Sequence, residues 1–189
     1  KEAKVKLLKD EFAKYAGKAN AIQEEGFEKI GKDLGIDIYN DIFITYFCYR
    51  CKSQSFGAIS LEEFSRGVAS FGVSTLYDVR NHIIKAKEDL LDITTSDFRQ
   101  FFYFLFEYNL SNKSKKQLDY DYMDLYFRPL FGNQFKIVDK FLDFYVNVKK
   151  KEPIKQDPWN CFLDFLIRIG DNFPKGYNTK DSWPTLFDD

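Results

Sequence analysis

The chain carries three cysteines, Cys48, Cys51 and Cys161, and a single histidine, His82. Cys48-x-x-Cys51 has the spacing of half a tetrahedral zinc site, but only Cys161 and His82 remain as soft ligands and no second pair follows. Free cysteine is among the most buried residue types, so two cysteines on a buried helix are the better reading. His82 has no serine or cysteine nucleophile beside it in sequence and is a poor general base. Asp119, Asp121 and Asp124 gather carboxylates on one short stretch without an accompanying nucleophile, base or metal ligand. The glycine patterns that cradle phosphates and the G-x-S-x-G turn of serine hydrolases are missing. These residue types favour a binding module over an enzyme, with no catalytic residue, cofactor or metal expected.

Calcium chemistry is the nearest alternative. Helix, short extended piece, helix is the outline of an EF-hand, and the sequence suggests it twice, around "FGAIS" (56–60) and around "QLDYDYMDL" (117–125). A calcium loop needs oxygen ligands at alternating positions, a central glycine and a closing bidentate glutamate. The first loop offers serines and glutamine in place of carboxylates, and the second has its three aspartates but no glycine. Calcium binding is not expected in either, and an EF-hand-like calcium-responsive interaction module stands as the alternative function.

The elements that must position these residues are helical. Aromatic residues make up 19% of the 189 positions and charged residues 30%, with a net charge of -1. That balance gives no global field for nucleic acid. No apolar run approaches the roughly 18 residues of a membrane span, and "KEAKVKLLKD" at the start lacks a signal-peptide core. An odd cysteine count in a chain large enough to bury a core without staples points to a reducing compartment. A nuclear and cytoplasmic monomer is expected, with neither nucleic acid nor membrane as partner.

Val5, Leu8, Phe12 and Tyr15 follow helical spacing up to Gly17, and Phe27, Ile30 and Leu34 repeat it up to Gly35. "IYNDIFITYFCYRC" (38–51) is apolar nearly all round and reads as a buried central helix. Ser60-x-x-Glu63 is a capping box that starts a helix ending near Gly72. Ser74 opens a further helix through Leu76, Val79, Ile83 and Leu90, and 96–110 is an aromatic helix. A brief extended segment and a helix closing around Pro129 and Gly132 follow the polar loop "SNKSKK". Residues 134–148 form a helix with Ile137, Phe141, Phe144 and Val148 as its apolar face. The last full helix has Asp157 as N-cap, Pro158 in the first helical position and Phe162, Phe165, Leu166 and Ile169 inward. "DSWP" repeats that grammar, with Asp181 or Ser182 as cap and Pro184 in the first turn. The class is all-α with at most two short extended pieces.

Six stretches taken in order carry a resemblance: "GFEKIGKDLGID" (26–37), "GAISLEEFSRGV" (57–68), "FRQFFYFLFEY" (98–108), "QLDYDYMDLYFRPLF" (117–131), "IKQDPWNCFLDF" (154–165) and "DSWPTLFDD" (181–189). Together they resemble the potentiating-neddylation domain of the defective-in-cullin-neddylation family, and the last two at this spacing are the most specific. The resemblance implies a single domain over residues 1–189, made of two EF-hand-like halves, about 1–92 and 93–189, that do not bind calcium. It implies a scaffold-type ligase component that brings the neddylation conjugating enzyme to a cullin, so that the ubiquitin-like modifier moves onto a cullin lysine.

Two surfaces come with the resemblance. A hydrophobic pocket takes the N-acetylated methionine and following helix of the conjugating enzyme, and the match places Phe27, Ile44, Phe47, Cys48, Ile59, Tyr108, Tyr126 and Pro129 around it. Burying a methionine contributes about 1.5–3 kcal/mol, and the acetyl cap removes the cost of desolvating an amine charge. The cullin-binding patch uses Asp, Ala and Asp in the family, which fall on Asp157, Ser182 and Asp188 here. Ser182 departs from that pattern.

Overall fold

The computed structural model describes residues 2–111, 113, 114 and 116–188, with side chains from Val5 onward. The fold is all-α: among the described residues the extended segments are four two-residue strands, paired as two small antiparallel sheets. The chain divides into two compact units, one ending at Asp89 and the other beginning at Leu90.

In the N-terminal unit, α1 (Glu2–Ala16), β1 (Ala21–Ile22), α2 (Glu24–Leu34), α3 (Ile42–Cys51), β2 (Ile59–Ser60) and α4 (Leu61–Ser70) form two helix–loop–helix hairpins. Their loops are joined by the pairs Ala21↔Ser60 and Ile22↔Ile59. Gly35 ends α2 with φ 71°, a left-handed conformation in which a side chain is strained. Gly67 serves a different need: a methyl there would run into the Cys51 sulfur, so its bareness sets how closely α3 and α4 approach. Arg50 fastens the same pair, donating from Nε to the Ser70 hydroxyl at 3.1 Å. Cys48 and Cys51 lie buried on α3, as expected of free thiols in a core helix.

Two sequence expectations for this unit are corrected. The helix expected over 38–51 begins only at Ile42, because Asp41 caps it, accepting from the Phe43 N–H at 2.9 Å. The helix expected from Ser74 is capped by Thr75 instead, and it breaks into α5 (Leu76–Val79), a 3-10 turn over Arg80–His82 and α6 (Ile83–Asp89).

The C-terminal unit repeats the plan with α7 (Ser96–Tyr108), β3 (Gln117–Leu118), α8 (Tyr120–Phe127), α9 (Ile137–Asn147), β4 (Ile154–Lys155) and α10 (Gln156–Arg168). Its loops pair through Gln117↔Lys155 and Leu118↔Ile154. Beyond α8 the backbone widens into a π turn, Arg128–Gly132, that contains Pro129; proline lacks the N–H that an α-helical turn would use. The core is built from rings. Trp159 is fully buried, stacks on Phe102 at 5.1 Å, lies 4.9 Å from Phe127, and donates from Nε1 to the Phe102 carbonyl at 3.0 Å.

The sequence suggested two extended pieces, but each has a paired partner, β1 and β4, too short to show alternation. The apolar face of α9 is turned from the expected one: Val138, Leu142 and Tyr145 are buried, Ile137, Phe141 and Phe144 are half-buried, and Val148 is exposed. Both stripes of this helix are apolar, so periodicity alone does not choose between them. The start of α10 and the turn at Thr185–Phe187 also differ from the expected ones.

Candidate functional site

The start of α10 is set by pairing rather than by capping. Lys155 bonds in β4 opposite Gln117, has extended backbone (φ -79°, ψ 163°) and is itself the N-cap, so the helix begins at Gln156, earlier than the Asp-Pro signal indicates. Asp157 is therefore in the first turn, where the partial positive charge of the helix end favours an anion, and no side chain caps the helix. The Asp157 carboxylate is exposed and accepts a weak bond from the Cys161 thiol at 3.7 Å. Burial first, then the Asp157 charge, pushes that thiol up to about 11, so it stays protonated and unreactive at neutral pH. Asp157 opens onto a cleft of about 400 Å³ that Lys116 and Lys155 also line.

The last described segment packs against α10. After a 3-10 turn at Gly170–Asn172, the chain runs as a strap to a single 3-10 turn at Thr185–Phe187. Pro184, not Asp181 or Ser182, precedes that turn, and no side chain caps it. Rings hold the strap in place: Phe187 lies 5.3 Å from Phe165 and 6.0 Å from Phe141, and Trp183 sits 6.0 Å from Phe165 beneath the Arg168 guanidinium at 5.0 Å. Ser182 is exposed in a bend of the strap. Asp188 is exposed as well, and its Oδ1 accepts from the Tyr177 hydroxyl at 2.5 Å. Two exposed carboxylates, one on α10 and one on the strap that α10 supports, can pair with a basic partner at little desolvation cost.

The other predicted residues are placed unit by unit. Phe47 and Ile59 are fully buried in the N-terminal core, and Phe27, Ile44 and Cys48 are nearly so. In the C-terminal unit Tyr126 is buried and donates to Asn109 Oδ1 at 3.3 Å, Tyr108 stacks on Phe104 at 4.9 Å, and Pro129 is exposed.

The loop before α4 shows how an EF-hand outline has been adapted. A calcium loop spans twelve residues and ends on a bidentate glutamate; here that span runs from Lys52 to Glu63. The Glu63 carboxylate instead closes the loop itself, accepting from the Gln54 N–H at 2.9 Å and the Ser60 N–H at 2.8 Å. Of the residues that hold the site, sequence reasoning missed Tyr177, Arg168 and Lys116. Lys116 lies at no helical spacing from the acids, Arg168 follows Asp157 by three turns of α10 without any local sign of the Trp183 ring it covers, and Tyr177 stands in a loop whose shape no local rule gives.

A family model described as cullin binding matches residues 78–189, more than half of the chain, a stretch that contains Asp157, Ser182 and Asp188. Among curated proteins, DCN1-like protein 5 of Homo sapiens is 24% identical over 178 residues, covering 94% of this chain and 73% of its own length. DCN1-like protein 4 of Danio rerio is 25% identical over 178 residues, covering 94% and 61%. Defective in cullin neddylation protein 1 of Yarrowia lipolytica is 23% identical over 180 residues, covering 94% and 73%. The chain thus belongs to the cullin-binding family of defective-in-cullin-neddylation proteins.

Proposed function

We propose that this protein acts in cullin neddylation as a scaffold: it binds a cullin and the N-acetylated neddylation conjugating enzyme, and holds the two so that the ubiquitin-like modifier passes to a cullin lysine. The observation that carries the reading is the pair of exposed acids, Asp157 in the first turn of α10 and Asp188 on the strap packed against it, inside the stretch matched by the cullin-binding family. The partner surface they fit is basic. Ser182, exposed between them in sequence, stands where the family has alanine.

The chain supplies no catalytic residue in this account. Holding two reactants in near-attack geometry is worth several kcal/mol of barrier, up to about 7–11 in well-oriented cases, so positioning alone suffices for acceleration. The nucleus and the cytoplasm, where cullin substrates and a reducing environment coincide, are its proposed locations, and it works as a monomer. On the conjugating-enzyme side, the acetylated methionine is received by the apolar residues that the resemblance names, Phe27 and Ile44 among them.

A reconstituted reaction tests the reading. Adding the chain to conjugating enzyme, charged modifier and cullin is expected to raise the initial rate of cullin modification severalfold, and an unchanged rate contradicts the scaffold role. For the finer claim, an N-acetylated peptide from the conjugating enzyme should bind at roughly micromolar affinity while its unacetylated twin binds more weakly. Equal binding of the two removes the acetyl pocket from the account.

A further inference from the structure

Resting on the reading of Asp188 as a cullin contact, we propose that Tyr177 is a positioning residue for docking, whose hydroxyl fixes the Asp188 carboxylate in the orientation the partner's basic side chain meets. The bond from the Tyr177 hydroxyl to Asp188 Oδ1 is 2.5 Å long and spans eleven residues, closing the strap into a loop with Ser182 inside it. The two ends differ in what holds them. The Tyr177 ring is half-buried among Phe173 at 5.5 Å, Phe165 at 6.3 Å and Trp183 at 6.4 Å, whereas the Asp188 carboxylate is exposed. The hydroxyl therefore transfers the rigidity of a ring cluster to a side chain that otherwise rotates in solvent, and an acid ordered before binding loses less entropy on docking.

The donor's chemistry suits that task. A neutral hydroxyl orients a carboxylate without cancelling its charge, and one oxygen held on Tyr177 leaves the other for a lysine or arginine. A lysine or arginine in the place of Tyr177 would order Asp188 equally well but compete with the partner for it. The nearby Arg168 is stacked on the Trp183 ring. Burial, and then the bond to Asp188, pushes the Tyr177 phenol up to about 12, so it remains a protonated donor across the physiological range.

A double-mutant cycle decides the matter. The whole chain is titrated calorimetrically into the cullin C-terminal domain as wild type, Tyr177→Phe, Asp188→Asn and the double variant, with a thermal melt of each to confirm folding. Tyr177→Phe keeps the ring and its packing, and is expected to weaken binding about three- to tenfold. Asp188→Asn weakens it further, and the double variant should match Asp188→Asn alone. A Tyr177→Phe chain that binds like wild type overturns the proposal, as do two effects that simply multiply, since a purely structural tyrosine acts whether or not the carboxylate is present. If Asp188→Asn itself binds like wild type, the contact assigned to Asp188 is wrong, and the role of Tyr177 falls with it; that failure is read in a variant that leaves Tyr177 untouched.

Discussion

In the N-terminal unit the acid that follows a strand is used up by its own loop: Glu63, three residues after Ser60, accepts from the Ser60 and Gln54 N–H groups while the Ser60 hydroxyl accepts from the Glu63 N–H. In the C-terminal unit the acid that follows the equivalent strand, Asp157, caps nothing and is exposed. Both stand in the first turn of a helix entered from a two-residue strand. Both N-caps, Ser60 and Lys155, are paired strand residues, and the difference lies in their side chains. Where a serine and a glutamate satisfy each other and the backbone, the carboxylate becomes part of the fold. Where the N-cap is Lys155, whose ammonium cannot accept from the helix N–H groups, no side chain caps the helix and the carboxylate two residues on is exposed. A helix start thus leaves exposed the groups its own capping does not consume, and in the proposed function Asp157 is such a group.

The largest expected effect tests whether α10 is a rigid platform. Trp159→Ala removes the ring packed between Phe102 and Phe127 together with the bond it donates to the Phe102 carbonyl, which should cost about 3–5 kcal/mol of stability by denaturant titration. A loss below about 1 kcal/mol would mean that the ring core does not hold the helix that carries Asp157. Next is the comparison itself. Glu63→Ala should cost about 1–2 kcal/mol, whereas Asp157→Ala should cost less than about 1 kcal/mol, the scale of a helix-end charge. Equal losses would mean that Asp157 is as structural as Glu63.

The smallest effect is a reactivity. Because its thiol is pushed up to about 11, Cys161 should alkylate slowly at pH 8, with a rate that climbs toward pH 11. Asp157→Asn removes one cause of that shift and should move the rate profile to lower pH, while burial keeps it above that of a free thiol. A profile unmoved by Asp157→Asn would separate the two side chains that the structure places 3.7 Å apart.

Much of this was legible where the determinants are local. The Ser60-x-x-Glu63 capping box, the left-handed stop at Gly35 and the inward stripe Phe162, Phe165 and Leu166 on α10 with Ile169 at its C-cap each depend on residues within a few positions of one another. The start of α10 was misread because its cause, the pairing of Lys155 with Gln117, lies far away in sequence and outranks the Asp157-Pro158 signal. The face of α9 was misread because Phe141 touches the core from its edge, 4.5 Å from Phe162, while also meeting Phe187 of the strap. The acids of the candidate site are marked by the resemblance, while their surroundings, above all Tyr177 holding Asp188, depend on how the strap folds back on itself.

The central claim is that Asp157 and Asp188 form a docking face for a cullin, and one titration tests it most directly. The affinity of the chain for the cullin C-terminal domain is measured for wild type, Asp157→Arg and Asp188→Arg, with far-UV circular dichroism as the check on folding. The account predicts native spectra and a loss of binding of at least about 100-fold in each variant, since reversing an acid at a charge-paired contact costs several kcal/mol. Wild-type affinity in both variants would contradict it.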